Sequence, residues 1–112
     1  VLEKYQSDWF TSKFNNPYMS AITTVKFDKQ KIIPAVTHVD NTARIQTVNS
    51  KDNFRYASLI NAFYLLTKVP ILLNTSFNEN EPIVMKPEEA LDCLIRTDMD
   101  AVFINNYLIT KV

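Results

Sequence analysis

Glycine is missing altogether from this chain of 112 residues. At ordinary usage of about 7%, a chain of this length would carry roughly eight. Without glycine, neither the dinucleotide-binding fingerprint nor the P-loop can be written, because both bring backbone close to a phosphate where a Cβ would clash. A bound phosphate would have to be met by side chains or by the free N–H groups of a helix start. Turns that need positive φ must also be made from something else. Asparagine tolerates that region best after glycine, and it is plentiful here.

Cysteine and histidine are nearly missing too, with Cys93 and His38 the single copies. One thiol excludes an internal disulfide, no cysteine pair offers a zinc site, and one histidine leaves a protein-built metal site short of ligands. A lone thiol fits a reducing compartment, so a cytoplasmic location is expected. No apolar run is long enough to span a bilayer, and the start VLEKYQSDWF is not a signal peptide, so no membrane association is expected. The formal net charge is zero. That removes the domain-wide positive field that draws nucleic acid, which is therefore not an expected partner. Hydrophobic residues make up 46% of the chain, which is enough to build a core and excludes disorder as the general state.

Hydrophobic periodicity predicts an alternation of helices and strands. Leu2, Tyr5, Trp9 and Phe10 recur at helical spacing, giving a first helix that ends before Asn15-Asn16-Pro17. Residues 21–27, 34–39 and 43–48 read as strands. Residues 53–67 carry an apolar stripe of Tyr56, Ala57, Ile60, Phe63 and Tyr64 and read as the strongest helix. Residues 71–73 are wholly apolar, as in a strand covered on both faces. Residues 87–96 open with proline, carry Glu88 and Glu89 in the first turn and Arg96 in the last, and suit a helix dipole. Residues 101–104 and 107–109 flank Asn105-Asn106 as a hairpin with a primed turn. The expected fold class is α/β, a mixed twisted open sheet flanked by helices, in a single domain over residues 1–112.

The stretch THVDNTARIQ, residues 37–46, gathers the histidine, an aspartate and one of three arginines. A hairpin with Asp40-Asn41-Thr42 as its loop would pair His38 with Arg44 and Val39 with Ala43. It would put His38, Arg44 and Gln46 on one face and Val39, Ala43 and Ile45 on the other. Arginine's planar fork of donors matches phosphate or carboxylate oxygens, and histidine and glutamine add donors, so the expected chemistry is anion binding. A solvated polar face with Asp40 as ion-pair partner is the competing and commoner arrangement. A second polar cluster, Asn74, Thr75, Ser76 and Asn78, follows the predicted buried strand. Ligands gather beyond such strand ends, though these are also ordinary turn formers. Glu79 and Glu81 read as solvent-facing, and Cys93 reads as core.

Taken together, the phrases PAVTHVDNTARIQTV, PILLNTSFNENEPIV, KPEEALDCLIRTDMDA and NNYLITK, with VLEKYQSDWF and NNPYM before them, resemble the C-terminal region of the nodulation- and antibiotic-type O-carbamoyltransferases. The resemblance implies a YrdC-like fold and most of a C-terminal domain, with an N-terminal actin-like domain, the expected partner, absent from this chain. It implies an enzyme that forms carbamoyl adenylate from carbamoyl phosphate and ATP, both as substrates, before transfer to a small-molecule hydroxyl acceptor. Any metal would belong to the absent domain, and this chain alone would be inactive. It further implies Arg44 at the carbamoyl phosphate site and Ser76 and Asn78 around the nucleotide and carbamate. Joined to the two polar clusters above, this makes Arg44 and His38 the expected catalytic residues, with Gln46, Asn74, Ser76 and Asn78 expected to bind substrate. A non-catalytic YrdC-like module binding nucleotide or RNA is the alternative. Three departures stand out. The basic segment that usually precedes the VLE phrase is not here. Four positions that are often glycine are Asn41, Lys68, Asn80 and Asn105, and Lys86 stands where a threonine often caps a helix.

Overall fold

Phe54–Thr67 forms the longest helix, α2 in chain order. Asn53 opens it, its side-chain oxygen accepting the Tyr56 N–H at 3.0 Å, which satisfies one of the N–H groups left free at a helix start. Lys68 closes it at φ 64, with its own N–H donating to the Tyr64 carbonyl at 2.8 Å. Val69-Pro70 then forbids another turn. Pro87–Arg96 forms α3 at the predicted bounds. Lys86 at its cap has no acceptor to offer. Glu89 compensates by accepting the N–H groups of Lys86 at 3.2 Å and Met85 at 2.9 Å, one half of a capping box.

The computed structural model describes residues 1–111. They include a 3₁₀ turn Glu3–Tyr5 running into the one-turn helix α1, Gln6–Trp9, and four short strands: β1 Ile22–Thr24, β2 Thr42–Arg44, β3 Ala101–Ile104 and β4 Tyr107–Thr110. The chain divides into two compact units, Val1–Leu73 and Asn74–Val112, each with its own core. In the first, Trp9, Phe10, Val25, Ile33, Ala43 and Ile45 form one buried cluster, and Leu2, Val48, Ala57 and Ile60 form another. In the second, Ala90 and Leu94 of α3 bury against Val102 of β3.

The class is mixed α/β, but the single open sheet is replaced by two separate antiparallel pairs, β1–β2 and β3–β4. Residues 34–39 are not a strand. Pro34 cannot donate to a ladder, and with Ala35 and Val36 it forms a 3₁₀ turn instead. β2 therefore pairs with β1, with Ile22 opposite Arg44 and Thr24 opposite Thr42. Residues 71–73 pair with no strand either, and Leu73 is 66% exposed. The first helix stops at Trp9, because Phe10 is extended and bridges to Val25. The final hairpin is as expected, Ile104 facing Tyr107 across a two-residue turn with Asn105 at φ 54.

Beyond β2 the chain stays extended, but its partners are loops. Asn16, 2% exposed, takes the place of a neighbouring strand. Its backbone N–H donates to the Thr47 hydroxyl at 2.8 Å, and its carbonyl accepts the Thr47 N–H at 3.0 Å. Its side-chain amide donates to the carbonyls of Ile45 at 2.8 Å and Ala21 at 3.3 Å. Its side-chain oxygen accepts from the N–H and hydroxyl of Ser20. Asn16→Ala would strand the buried Ile45 carbonyl and release the 16–21 loop. The expected loss is about 2–3 kcal/mol by urea denaturation; a change below about 0.5 kcal/mol would mean that the amide is dispensable.

Candidate functional site

The tip of the 37–46 segment is a tight turn one residue earlier than the sequence predicts. The His38 carbonyl accepts the Asn41 N–H at 2.9 Å, and the His38 N–H donates to the Thr42 carbonyl at 2.7 Å. The loop is thus Val39-Asp40-Asn41, with Asn41 at φ 65 supplying the left-handed residue. Val39 is fully exposed at this tip, not on the apolar face with Ile45. The predicted pairing of His38 with Arg44 does not form, because Thr42 takes the position opposite His38.

Three side chains meet there. Thr42 donates its backbone N–H at 3.0 Å and its hydroxyl at 2.7 Å to Asp40 Oδ1. His38 Nδ1 lies 2.9 Å from the same hydroxyl. A hydroxyl has one hydrogen, and Asp40 holds it, so Nδ1 must be the donor to the Thr42 oxygen. In the neutral ring the Nε2 lone pair is then left for solvent or a ligand. This alters the role that sequence suggests. His38 donates to an anion through Nε2 only when doubly protonated. The Asp40 carboxyl is held below the usual carboxylate range by the Thr42 hydroxyl first, then by the Thr42 N–H, with a smaller attraction from His38.

Arg44 lies two residues along β2 from Thr42, so the two share a face of the strand. Thr23 and Ala43, on the other face, are buried, while Arg44 is exposed. Among the described residues no carboxylate pairs with Arg44. The sequence expectation that Arg44 turns away from Ile45 holds; His38 is not paired with Arg44 and instead meets Thr42, which shares a strand face with Arg44. Gln46 is differently placed. It is half-buried, and its side-chain N–H donates to the Pro17 carbonyl at 2.8 Å, a bond that fixes the loop.

In the second unit Ser76 and Asn78 are brought together. The Ser76 hydroxyl donates to the Asn78 side-chain oxygen at 2.5 Å, and the Asn78 amide donates to the Glu81 carbonyl at 2.8 Å. The backbone closes the same loop, with the Val84 N–H on the Phe77 carbonyl at 2.9 Å. Asn74 is exposed. The acids that read as solvent-facing are tied down by Arg96. Its guanidinium donates to Glu79 at 2.6 Å, to Glu81 at 2.9 Å and to Asp92 at 2.7 Å. Hydrogen bonds from its own backbone N–H and that of Asn80 hold the Glu81 carboxyl low, with Arg96 adding to them. The Arg96 guanidinium is correspondingly pushed further up. Sequence reasoning missed this cluster. The Asp92–Arg96 spacing of four on one helix was a usable signal; the two glutamates, 15 and 17 residues away, gave none. Cys93 is buried, as expected of a core residue. Among the described residues no group of acids, histidine and cysteine is arranged to hold a metal, and no helix is long and apolar enough to cross a membrane.

Comparison with known proteins adds the following. A family model described as carbamoyltransferase C-terminus matches residues 1–111. The chain is 44% identical over 115 residues to nodulation protein NolNO of Sinorhizobium fredii, covering 99% of this chain and 17% of that protein. It is 45% identical over 96 residues to nodulation protein NolO of Bradyrhizobium diazoefficiens, covering 85% of this chain and 18% of that protein. Nodulation protein U of Rhizobium tropici is 32% identical over 110 residues, covering 98% of this chain and 19% of its own length. The chain thus spans less than a quarter of these relatives.

Two outcomes follow from the geometry. Thr42→Val removes the hydroxyl that lowers Asp40, so the Asp40 carboxyl should titrate nearer the ordinary aspartate value in a carbon-detected NMR titration. The sign is that of a depressed acid: its stabilising contribution is present above the unfolded value and is lost as pH falls through the folded one. An unmoved Asp40 titration would show that the hydroxyl contact is not formed. Arg96→Gln should speed hydrogen exchange at the Val84 amide, because the loop loses its tie to α3; unchanged exchange there would show that the ion cluster does not hold the loop.

Proposed function

Because the chain belongs to the carbamoyltransferase C-terminus family, we propose that it is the part of an O-carbamoyltransferase that holds carbamoyl phosphate and ATP while carbamoyl adenylate forms, carbamoyl phosphate giving up its phosphate to water and ATP releasing pyrophosphate as the carbamate oxygen joins the α-phosphorus. The carbamoyl group then passes to a hydroxyl of a small-molecule acceptor, with AMP as the leaving group. On this reading the domain is YrdC-like and cytoplasmic, and its partner is an N-terminal actin-like domain of the same parent chain, where any metal would sit.

The observation that carries the reading at residue level is Arg44, a guanidinium without a carboxylate counter-ion on an exposed strand face shared with Thr42, Thr24 and Ile22. Its fork would meet two oxygens of a phosphate or carbamate and offset charge as the adenylate forms. His38, fixed through Nδ1 by Thr42, would present Nε2 as acceptor when neutral and as donor when charged. Gln46 would act by holding the segment in place. In the other unit, Asn74, Ser76 and Asn78 would bond to nucleotide or carbamoyl oxygens. The Ser76 hydroxyl would have to turn from Asn78 to do so.

Arg44→Lys in the full-length parent tests this. Lysine keeps the charge and loses the fork. Carbamoyl adenylate formation should fall about ten- to a hundredfold, the equivalent of roughly 1.5–3 kcal/mol for a charged hydrogen bond expressed in the transition state. Thermal stability should stay within the small range of surface substitutions. Near-normal adenylate formation by the lysine variant would reduce the Thr37 to Gln46 cluster to a solvated strand face.

A further inference from the structure

Within the first unit, between its N-terminal turn and α2, lies a cleft of about 650 Å³. That is within the range of small-molecule sites. It contains none of the residues assigned a role above. Its existence follows from small side chains on one side of α2: Ala57, Ser58 and Ala62 stand where larger residues would close the space. The floor is apolar, formed by Leu2, Val48 and Ala57, all buried.

The polar part of the lining has a definite chemistry. Lys4 and Lys13 line it, both exposed and neither in an ion pair among the described residues; the Lys4 ammonium rests 4.9 Å from the centre of the Tyr5 ring, a contact that an anion in the cleft would compete with. Two cations with no carboxylate partner beside one small cleft suit a group with more than one negative charge, which a phosphate monoester is near neutral pH. Glu3 is the one acid of the lining. With the Asn61 amide and the Ser58 hydroxyl it forms a mixed set of acceptors and donors, as a body bearing several hydroxyls requires. No aromatic ring lines the cleft, so nothing there would stack a planar base. The C–H faces of a saturated ring match the aliphatic floor instead.

We propose that this cleft binds a sugar phosphate, the phosphate at Lys4 and Lys13 and the hydroxyls at Glu3, Ser58 and Asn61. The proposal does not depend on the adenylate chemistry, and its test does not measure it. The chain, labelled with ¹⁵N, is titrated with glucose 6-phosphate, with glucose and with inorganic phosphate. Saturable shifts centred on Ser58 and Asn61 are expected with glucose 6-phosphate, in the millimolar range or tighter, and weaker shifts with either part alone. K4E combined with K13E should weaken binding by about tenfold or more, and Ser58→Trp, filling the cleft from an exposed position, should abolish it. Should either variant fold poorly, the salt dependence of the unaltered chain decides, since lysine–phosphate attraction must weaken as salt rises. Shifts no larger than those from inorganic phosphate, shifts centred away from α2, or binding indifferent to both salt and lysine reversal would each overturn the proposal.

Discussion

A buried amide organises the first unit. Every hydrogen-bonding group on Asn16 named above has a partner, and those partners lie on the 16–21 loop and on the extension of β2. A strand of three residues, Thr42–Arg44, is too short to hold a precise register alone. Asn16 and Thr47 lengthen it by satisfying backbone groups that a ladder would otherwise satisfy. The out-and-in alternation that turns Arg44 to solvent and Ile45 to the core is therefore set partly by a residue nearly thirty positions earlier. An apolar residue at position 16 could fill the space but could not supply the donors and acceptors.

The lack of glycine is solved locally and unequally. Asn41, Lys68 and Asn105 all take positive φ, three of the four positions where glycine is expected by resemblance; Asn80 does not. Asparagine tolerates this region, and the tip at Asn41 and the hairpin at Asn105 are unremarkable for it. Lys68 has no such preference. Its αL position is held by its N–H bond to the Tyr64 carbonyl and by a side-chain bond to the Leu65 carbonyl at 3.2 Å, so the last carbonyls of α2 gain partners that offset the conformational cost. Met19, at φ 56, has no signal in the sequence.

What was legible follows the range of the determining interaction. α2, α3 and the final hairpin are set by caps, periodicity and a two-residue turn, all local, and they appear where the sequence puts them. The strands expected at 34–39 and 71–73 failed because apolar composition does not choose a partner: Pro34 turned one into a 3₁₀ turn, and no neighbouring strand pairs with the other. At the site, the polar alternation of Arg44 against Ala43 and Ile45 was readable. The one-residue shift of the turn was not. It depends on whether Thr42 or Asp40 closes the loop, and Thr42 wins because Asp40 is needed as its acceptor. Arg96 was hidden for the same reason as Asn16, since its partners are distant in sequence.

The electrostatics of the two polar clusters differ in a way that bears on what each can hold. Arg44 has its charge available. Around Ser76 and Asn78 the one guanidinium, Arg96, is already shared by Glu79, Glu81 and Asp92, so that cluster is negative on balance. A phosphate brought to it would meet like charge, whereas a neutral carbonyl, amide or hydroxyl would not. The three carboxylates are then not incidental. They fix the loop through Arg96, and their residual negative charge disfavours an anion at that loop.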